Sequence, residues 1–382
     1  MAGVDRTAKY RGANVLAPMV RCGTLPLRLF ALDAGADLVY GEELVALRCQ
    51  RAQRVENAAL RTVDLVGHDG RVLFRTLPER ERGRVVFQVG ASGAAEAVRT
   101  AELVANDVAA VDLNCGCPKK FSVSGGMGAA LLKEPERVAD ILTALRRNLP
   151  ETCGVSVKVR LLESERDTAE LCARLEACGV DAVAVHCRHI EQRTREPAHW
   201  AKLAAARGAL KRAALVLNGD VLRFEDFARA RAETGADGAM AARAAMWNPS
   251  VFSAAGPMGK QDAMRRYVEH CVETDNAFAN TKYCLREMML GGGAKYGRPA
   301  TGSLESELGR GIARAKTYAD VLGALGRQQW HDAWRQGKAP TKTPLVAASG
   351  AGGGAKRPAQ NGDASSSGNG AKHARTDAGA LL

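Results

Sequence analysis

The sequence predicts an α/β fold: a (β/α)8 TIM barrel followed by a small helical domain and a disordered C-terminal tail. Eight short runs of strand type occur in the first 256 residues, and segments with helical spacing separate most of them, which is the pattern of such a barrel. From about Pro257 the strand pattern stops and helical segments follow. Beyond Gly337 large apolar residues almost disappear, so that segment cannot bury enough surface to fold.

The eight runs share an apolar body, and all but the first end in polar or ionisable residues. In chain order they are VLAPMV (15–20), DLVYGEE (37–43), VVFQVG (85–90), AVDLNCG (110–116), VSVKVR (155–160), AVAVHCR (182–188), ALVLNGD (214–220) and GAMAARA (238–244). Helical spacing between them is clearest from Pro135 to Leu145, from Glu165 to Ala177 and from Phe224 to Arg231. The longer, arginine-rich interval at 44–84 predicts a hairpin or an insertion.

Three regions follow from these patterns. They are a barrel domain at 1–256, a helical domain at 257–337 and a basic tail rich in Gly, Ala and Ser at 338–382. A glycine-rich hinge is expected near 291–293, inside the helical domain. The tail holds six Lys or Arg against two Asp, which leaves a nuclear address or a role in tethering RNA open.

The composition favours a globular protein with an anionic partner. The 382 residues are 46% hydrophobic, enough for a packed core, and their net charge of +12 favours nucleic acid as that partner. The amino terminus is polar and no run approaches the ~18 apolar residues of a membrane span. We therefore expect a soluble cytoplasmic protein, also present in the nucleus if the tail acts as an address, without a membrane partner.

Polar side chains at the ends of the strand-type runs predict one shared site. In a (β/α)8 barrel the carboxyl ends of the strands meet at one mouth, where catalytic and binding groups lie. Lys158 and His186 are flanked by strand residues on both sides, which an ordinary polar loop does not explain. The polar residues at these ends are Glu42, Glu43, Gln88, Asn114, Lys158, His186, Asn218 and Arg243.

Two thiols follow the fourth run in the stretch DLNCGCPKK. Zinc sites need four ligands, and no second cysteine pair or histidine cluster stands nearby, so no metal is expected. A redox dithiol favours the spacing CxxC, which is absent from the chain. Cys115 continues the strand alternation, is expected to point into the barrel and is interpreted as structural, whereas Cys117 is the candidate acid or nucleophile. The glycine-rich loop from Ser124 to Gly128 could close over a substrate.

The last two runs predict a phosphate site. Barrels often bind phosphate between strands seven and eight and at the start of a short helix, where LNGD and MAARAAMWNP lie. Gly219 allows close backbone approach and Arg243 offers a guanidinium. Together with Lys158, His186 and Gln88, this suits flavin mononucleotide (FMN). No GxGxxG follows a strand and no GxxxxGK occurs, so a built-in dinucleotide or nucleoside triphosphate domain is not indicated.

The chain resembles the tRNA-dihydrouridine synthases, most of all the eukaryotic branch that acts on uridine 20 of the D-loop. The resemblance covers about residues 10–335. It is carried by LAPMV (16–20), DLNCGCPKKFSVSGGMGAALL (112–132), VKVR (157–160), AVHCR (184–188), LNGD (217–220), ARAAMWNPSVF (242–252) and NTKYCL (280–285). It implies an FMN oxidoreductase that reduces the C5=C6 bond of a tRNA uridine, with NADPH or NADH as electron donor.

The resemblance also implies roles for single residues. The cysteine of the family's N-x-G-C-P motif protonates C5 while the flavin delivers hydride to C6, and this cysteine is Cys117 here. Implied substrate contacts are Asn114, Lys119, Lys120 and Arg188, with the arginines at 48, 51 and 54 as further RNA candidates. Implied flavin contacts are Pro18, Met19, Val20, Gln88, Lys158, His186, Asn218, Gly219, Asp220, Ala242 and Arg243.

Two positions depart from the family pattern, and two other functions stay open. Cys187 and Ala242 stand where relatives commonly have glycine. The family's animal members carry a double-stranded RNA-binding domain after the helical domain, so here the barrel mouth, the helical domain and the tail would have to bind the tRNA. We expect a monomer. The alternatives are a dihydroorotate-dehydrogenase-like reductase of a free pyrimidine and a non-catalytic RNA-binding barrel.

Overall fold

The computed structural model describes residues 5–291, 302–338, 342, 343 and 345, with the side chains of 302 and 303 left out. The predicted disordered tail therefore lies outside the described residues, apart from 338, 342, 343 and 345. Of the predicted hinge at 291–293, only Gly291 is described. No helix among the described residues is long and apolar enough to cross a membrane.

Most of the strands are short and apolar. In chain order they are β1 (Asn14–Leu16), β2 (Leu38–Tyr40), β3 (Leu44–Val45), β4 (Gln53–Asn57), β5 (Thr62–Val66), β6 (Val72–Thr76), β7 (Val85–Gly90), β8 (Ala110–Asn114), β9 (Gly154–Arg160), β10 (Ala182–His186), β11 (Ala214–Asn218) and β12 (Gly238–Ala241).

Eight of these strands close into a barrel. The parallel order runs β2-β1-β12-β11-β10-β9-β8-β7, and the pairing of β2 with β7 closes the ring. The short β3 pairs with the end of β7. Strands β4, β5 and β6 form a separate antiparallel sheet, so the interval at 44–84 is an insertion that contains hairpins. The predicted (β/α)8 barrel is confirmed.

The helices lie between and after the barrel strands. In chain order they are α1 (Leu25–Asp33), α2 (Ala46–Cys49), α3 (Pro78–Glu81), α4 (Ala94–Glu102), α5 (Lys120–Val123), α6 (Pro135–Asn148), α7 (Glu165–Ala177), α8 (Leu203–Ala209), α9 (Phe224–Thr234), α10 (Arg243–Trp247), α11 (Lys260–Glu273), α12 (Phe278–Leu290), α13 (Gly302–Glu305), α14 (Glu307–Arg314), α15 (Tyr318–Ala324) and α16 (Gln328–Arg335).

Two apolar layers result from the two-residue period of the strands. One face of each strand packs against the helices, for example Val155, Val157 and Val159 of β9. The other face points into the barrel. The inner cluster consists of Tyr10, Ala13, Val15, Ala17, Leu38, Tyr40, Val86, Ala110, Ala182, Ala184, Ala214, Val216 and Met240. Toward the carboxyl ends of the strands, the inner face carries the polar residues that the sequence predicts as site residues.

Six of the eight strands end two to four residues before the predicted runs do. Pro18 cannot donate to a sheet ladder, and β1 stops before it. Gly219 has φ +120 and Asp220 has φ +54, so the chain leaves the extended conformation directly after β11. The predicted site residues at these positions consequently lie on loops at the barrel mouth.

The helical region contacts the barrel mainly through α11 and α12, and α13 to α16 pack on these two helices and on one another. Helix α11 contacts α1, where the Arg266 guanidinium pairs with Asp33 and His270 Nε2 lies 3.0 Å from the same carboxylate. Helices α11 and α12 are separated by a turn in which Asp275 has φ +49. The described residues all fall in one compact unit, and the domain boundary at 256/257 stays a prediction.

Candidate active site

A cavity of about 380 Å³ opens at the carboxyl ends of the barrel strands. Twelve of the predicted site residues line it: Pro18, Met19, Val20, Gln88, Asn114, Cys117, Lys119, Lys158, His186, Asn218, Ala242 and Arg243. The remaining wall comes from Ala17, Glu43, Gly116, Pro118, Arg160, Met246, Tyr283 and Glu287.

The loop after β8 presents Cys117 to this cavity. Asn114 Oδ1 accepts hydrogen bonds from the backbone N–H groups of Gly116 at 2.9 Å and Cys117 at 3.1 Å, which turns the chain sharply at the end of the strand. The Ala129 N–H donates to the Cys117 carbonyl at 2.9 Å and closes the loop. Gly128 has φ +59, and a Cβ there would lie 2.6 Å from that carbonyl oxygen. The loop therefore requires glycine at this point.

The two cysteines of this loop differ in burial, as expected, but the expectation that Cys115 points into the barrel is wrong, because Cys115 continues the outward face of Val111 and Leu113. Cys115 is fully buried in the layer between strands and helices, and burial raises its pKa well above the ordinary value. Cys117 is half-buried and lines the cavity. Burial, followed by the charge of Glu43, raises the pKa of the Cys117 thiol. Cys117 is therefore held as a protonated thiol at neutral pH.

Glu43 is a site residue that the sequence noted only as a polar strand end. Its side chain is 6% exposed, and Oε1 accepts a hydrogen bond from the Ser122 hydroxyl at 3.0 Å. Burial raises the pKa of Glu43, and hydrogen bonds from Ser122, Cys117 and Asn114 oppose that shift. A Cβ at Gly90 would lie 2.6 Å from Glu43 Oε1, so glycine there leaves room for the carboxylate.

Two cations project into the cavity from β9. Burial, followed by repulsion from Arg160, lowers the pKa of Lys158 to about 8, whereas Asp112 acts in the opposite direction. Arg160 donates from Nε to the Gly116 carbonyl at 2.8 Å and so also supports the Cys117 loop. Lys158 and Arg160 are two residues apart on one strand and therefore share a face. This spacing could have identified Arg160 as a site residue from the sequence.

His186, at the end of β10, is a neutral imidazole. Burial, followed by the charges of Lys158 and Arg160, lowers its pKa well below the ordinary value. Its Nε2 lies 3.1 Å from Arg188 Nη1, and because a guanidinium can only donate, Nε2 is the acceptor. In the neutral ring the proton is then on Nδ1. His186 can consequently donate one hydrogen bond through Nδ1.

Asp220 connects two arginines at one side of the mouth. Its Oδ1 lies 2.5 Å from Arg188 Nη2 and 2.5 Å from Arg243 Nη2, and its Oδ2 accepts from the Ala198 N–H at 2.8 Å. Arg243 starts the short helix α10 and also donates to the Thr194 carbonyl at 3.1 Å. Asp220 thereby fixes the guanidinium of Arg243 at the cavity wall.

Four of the predicted residues do not line the cavity: Gly219, Asp220, Lys120 and Arg188. Arg188 is 2% exposed behind His186, where it supports that ring and Asp220. Lys120 is exposed on α5, outside the mouth. The candidate RNA contact Arg54, on β4 of the insertion, pairs at 2.7 Å with Asp107, which lies between α4 and β8. Their roles in binding stay predictions.

Tyr283 and Glu287 enter the cavity from α12, in the helical region. They are four residues apart and so share a face of the helix. The exposed Arg21 guanidinium lies over the Tyr283 ring at 5.4 Å from the centroid. Tyr283 and Glu287 could not be predicted as site residues, because no local sequence pattern shows which helix covers the barrel mouth.

The closed parallel barrel, with its ionisable side chains gathered where the strands end, is the architecture of a TIM-barrel enzyme. The chain belongs to the dihydrouridine synthase family, whose model matches residues 15–295. The resemblance seen in the sequence is thereby confirmed at the level of the family.

Two fungal relatives carry the same name, NAD(P)+ tRNA-dihydrouridine(20) synthase. The Schizosaccharomyces pombe protein is 41% identical over 330 residues, which cover 84% of this chain and 66% of that protein. The Saccharomyces cerevisiae protein is 37% identical over 300 residues, 74% of this chain and 78% of that protein. Among solved structures, morphinone reductase matches with a TM-score of 0.42 and 14% identity over 63% of this chain and 84% of that one.

Proposed function

We propose that this chain is a flavin-dependent tRNA-dihydrouridine synthase that reduces the C5=C6 bond of uridine 20 in the D-loop, with NAD(P)H as electron donor. The observation that carries the proposal is the protonated thiol of Cys117 in a cavity shared with Lys158 and His186. The names of the two fungal relatives support tRNA as the substrate and position 20 as the target.

The cavity fits FMN in its polar chemistry. Its volume of about 380 Å³ lies within the range of small-molecule sites. The Gln88 carbonyl offers an acceptor, and the His186 Nδ1–H and the Lys158 ammonium offer donors to a heteroaromatic ring. Arg243, at the start of α10 after β12, offers a cation for a phosphate. Gln88 is on β7, and β7 and β12 are separated by two strands on one side of the ring and by four on the other. One flavin can therefore contact both walls.

The flavin, when bound, supplies the hydride that NAD(P)H provides. The work of this chain is to hold the ring and to move a proton. Hydride addition at C6 of a uracil leaves negative charge at C5 and O4, and a positioned acid must protonate C5. Cys117 is the acid in the proposed mechanism, because its raised pKa keeps the proton on sulfur until that charge develops. Lys158 and Arg160 stabilise developing negative charge electrostatically.

A uridine inside folded tRNA must leave its stack to reach the cavity. Lys119 lines the cavity, Lys120 is exposed just outside it on α5, and the next residue, Phe121, is 44% exposed. Two cations and an aromatic ring in this order suit a phosphate backbone and a stacked base. Tyr283 from α12 and Arg21 from the loop after β1 add a second aromatic ring and cation, in contact with each other. In this proposal the helical region holds the tRNA while the barrel holds the base.

The proposal is tested with purified protein and unmodified tRNA transcripts. We expect a yellow protein with the absorption spectrum of bound FMN, oxidation of NADPH or NADH, and dihydrouridine at position 20 as mapped by primer extension. A transcript with cytidine at position 20 is the matched control and should stay unmodified. A colourless protein that takes up no FMN contradicts the proposed cofactor, and dihydrouridine at another position contradicts the proposed target.

A further inference from the structure

One polar rung crosses the inside of the barrel beneath the cavity. Gln88, Asp112 and Ser156 are register partners on β7, β8 and β9. Gln88 Nε2 donates to Asp112 Oδ2 at 2.8 Å, and the Ser156 hydroxyl donates to Asp112 Oδ1 at 2.7 Å. Asp112 and Ser156 are fully buried and do not line the cavity, whereas Gln88 does. Asp112 therefore acts on the site only through its neighbours.

A carboxyl in this position is not explained by packing. Barrel interiors are filled by apolar side chains, and the inner cluster here is apolar apart from two tyrosine hydroxyls. Burial raises the pKa of Asp112 to about 6, although Gln88, Ser156 and Lys158 oppose the shift. An apolar residue would stabilise the barrel better than this carboxylate, so its presence points to a task at the site.

The first task is visible in the hydrogen bond to Gln88. A carboxylate can only accept hydrogen bonds, so it selects the NH2 end of the amide. Because Nε2 is directed to Asp112, the carbonyl oxygen Oε1 is left for the cavity. A freely rotating Gln88 would present donor and acceptor ends alike. Asp112 thereby decides which hydrogen-bonding group the cavity offers from β7.

The second task concerns the charge on Lys158. The ionisable groups that act on it are Asp112 on β8, Arg160 on its own strand, His186 and Cys187 from β10 and its loop, and Cys117 from the loop after β8. Burial and Arg160 favour the neutral amine, and Asp112 is first among the groups that favour the ammonium ion. Cys117 and Cys187 are protonated thiols at neutral pH because burial raises the pKa of each.

We propose that Asp112 is a positioning residue for the flavin site: its carboxylate orients the Gln88 amide and supplies the negative charge that keeps Lys158 an ammonium ion. The inference rests on the proposed function, because it assigns a role toward the bound flavin. Asp112 itself touches neither flavin nor substrate. Its effect should appear in flavin binding and in the flavin spectrum, independently of turnover.

The test compares flavin-loaded wild type with Asp112→Asn and Asp112→Ala. In a pH titration of the flavin absorption, the wild type should show an inflection near pH 8 from Lys158, and Lys158→Met should lack it. Asp112→Asn should move the inflection down by about one unit. At pH 7, where Asp112 is mostly a carboxylate, Asp112→Ala should weaken FMN binding at least about tenfold, because Gln88 loses its acceptor. Asn retains an acceptor, so Asp112→Asn should bind FMN at pH 7 within about twofold of the wild type.

Asp226→Asn is the matched control, since Asp226 is also buried but caps α9 on the outside of the barrel. It should leave both the inflection and the FMN affinity unchanged. Suppose the wild type binds flavin. If Asp112→Asn then leaves the inflection in place, or Asp112→Ala leaves the FMN affinity unchanged, this inference is overturned and the proposed function stands. A wild type that takes up no flavin overturns the proposed function and the inference together.

Discussion

Replacing Cys117 by alanine isolates the proton-transfer step. A positioned general acid contributes about 10²- to 10⁴-fold to a rate, so the transfer to tRNA should slow by that factor, or about 2.7 to 5.5 kcal/mol in barrier height. The fold should change little, because Cys117 is half-buried and the substitution removes one sulfur atom, a loss of about 1 kcal/mol or less. Gln88, Lys158 and His186 are untouched, so FMN should remain bound.

The assay separates the two half-reactions in a stopped-flow spectrometer. Reduction of the flavin by NADPH does not need the thiol and should keep its rate in Cys117→Ala. Reoxidation of the reduced enzyme by tRNA should slow 10²- to 10⁴-fold. Cys115→Ala removes the same atom from a fully buried position and is the control. It should destabilise the fold by about 1 kcal/mol and leave both half-reactions unchanged.

The pH dependence follows from the raised pKa of Cys117. The thiol is the active form, so the tRNA-dependent step should stay fast beyond the ordinary thiol pKa and fall only at higher pH. Glu43→Gln removes a charge that helps to raise this pKa, so the fall should begin at lower pH. Unchanged reoxidation in Cys117→Ala would refute the assignment of the acid. An unchanged pH profile in Glu43→Gln would refute the claim that the charge of Glu43 raises the pKa of Cys117.

Three further predictions concern stability and RNA binding. Glu81→Gln breaks a fully buried ion pair with Arg28, joined at 2.7 Å, and should cost about 3 to 5 kcal/mol in urea unfolding; a loss below 1 kcal/mol would contradict it. Lys158 has a pKa of about 8 in the folded protein and about 10.5 in the unfolded chain, so below pH 8 its buried charge lowers the free energy of unfolding of the apoprotein. Lys158→Met should therefore be more stable than the wild type below pH 8, and this difference should shrink as the pH rises from about 8 toward 10.5. A constant difference would exclude this linkage. Replacing Lys119 or Lys120 by alanine should lower the slope of log affinity for tRNA against log salt by about 1, measured by filter binding, whereas an unchanged slope would show that the residue contacts no phosphate.

The local sequence was sufficient to predict the barrel. Inward and outward faces alternate along strands such as VSVKVR, and helical periods such as Glu165 to Ala177 coincide with α7 residue for residue. Twelve predicted site residues meet in one cavity because parallel strands of a closed barrel all end at the same mouth. The strand ends were less predictable. The position at which a strand stops pairing with its neighbours depends on the backbone conformation, as at Pro18 after β1 and Gly219 after β11.

Within the site, the sequence by itself determined that the two thiols differ: Cys115 continues the pattern of β8 and is buried, and the following turn brings Cys117 to the cavity. The tertiary structure decided that Cys115 faces the helices and not the barrel interior. Only the tertiary structure decided which groups act on the Cys117 thiol. Glu43 reaches it from the loop after β2 and Tyr283 closes the mouth from α12, at separations along the chain that no local pattern encodes. It likewise decided that Asp112, one rung below the cavity, bonds to Gln88. Such contacts depend on which strands become neighbours when the barrel closes, and burial then sets the charge and direction of each group.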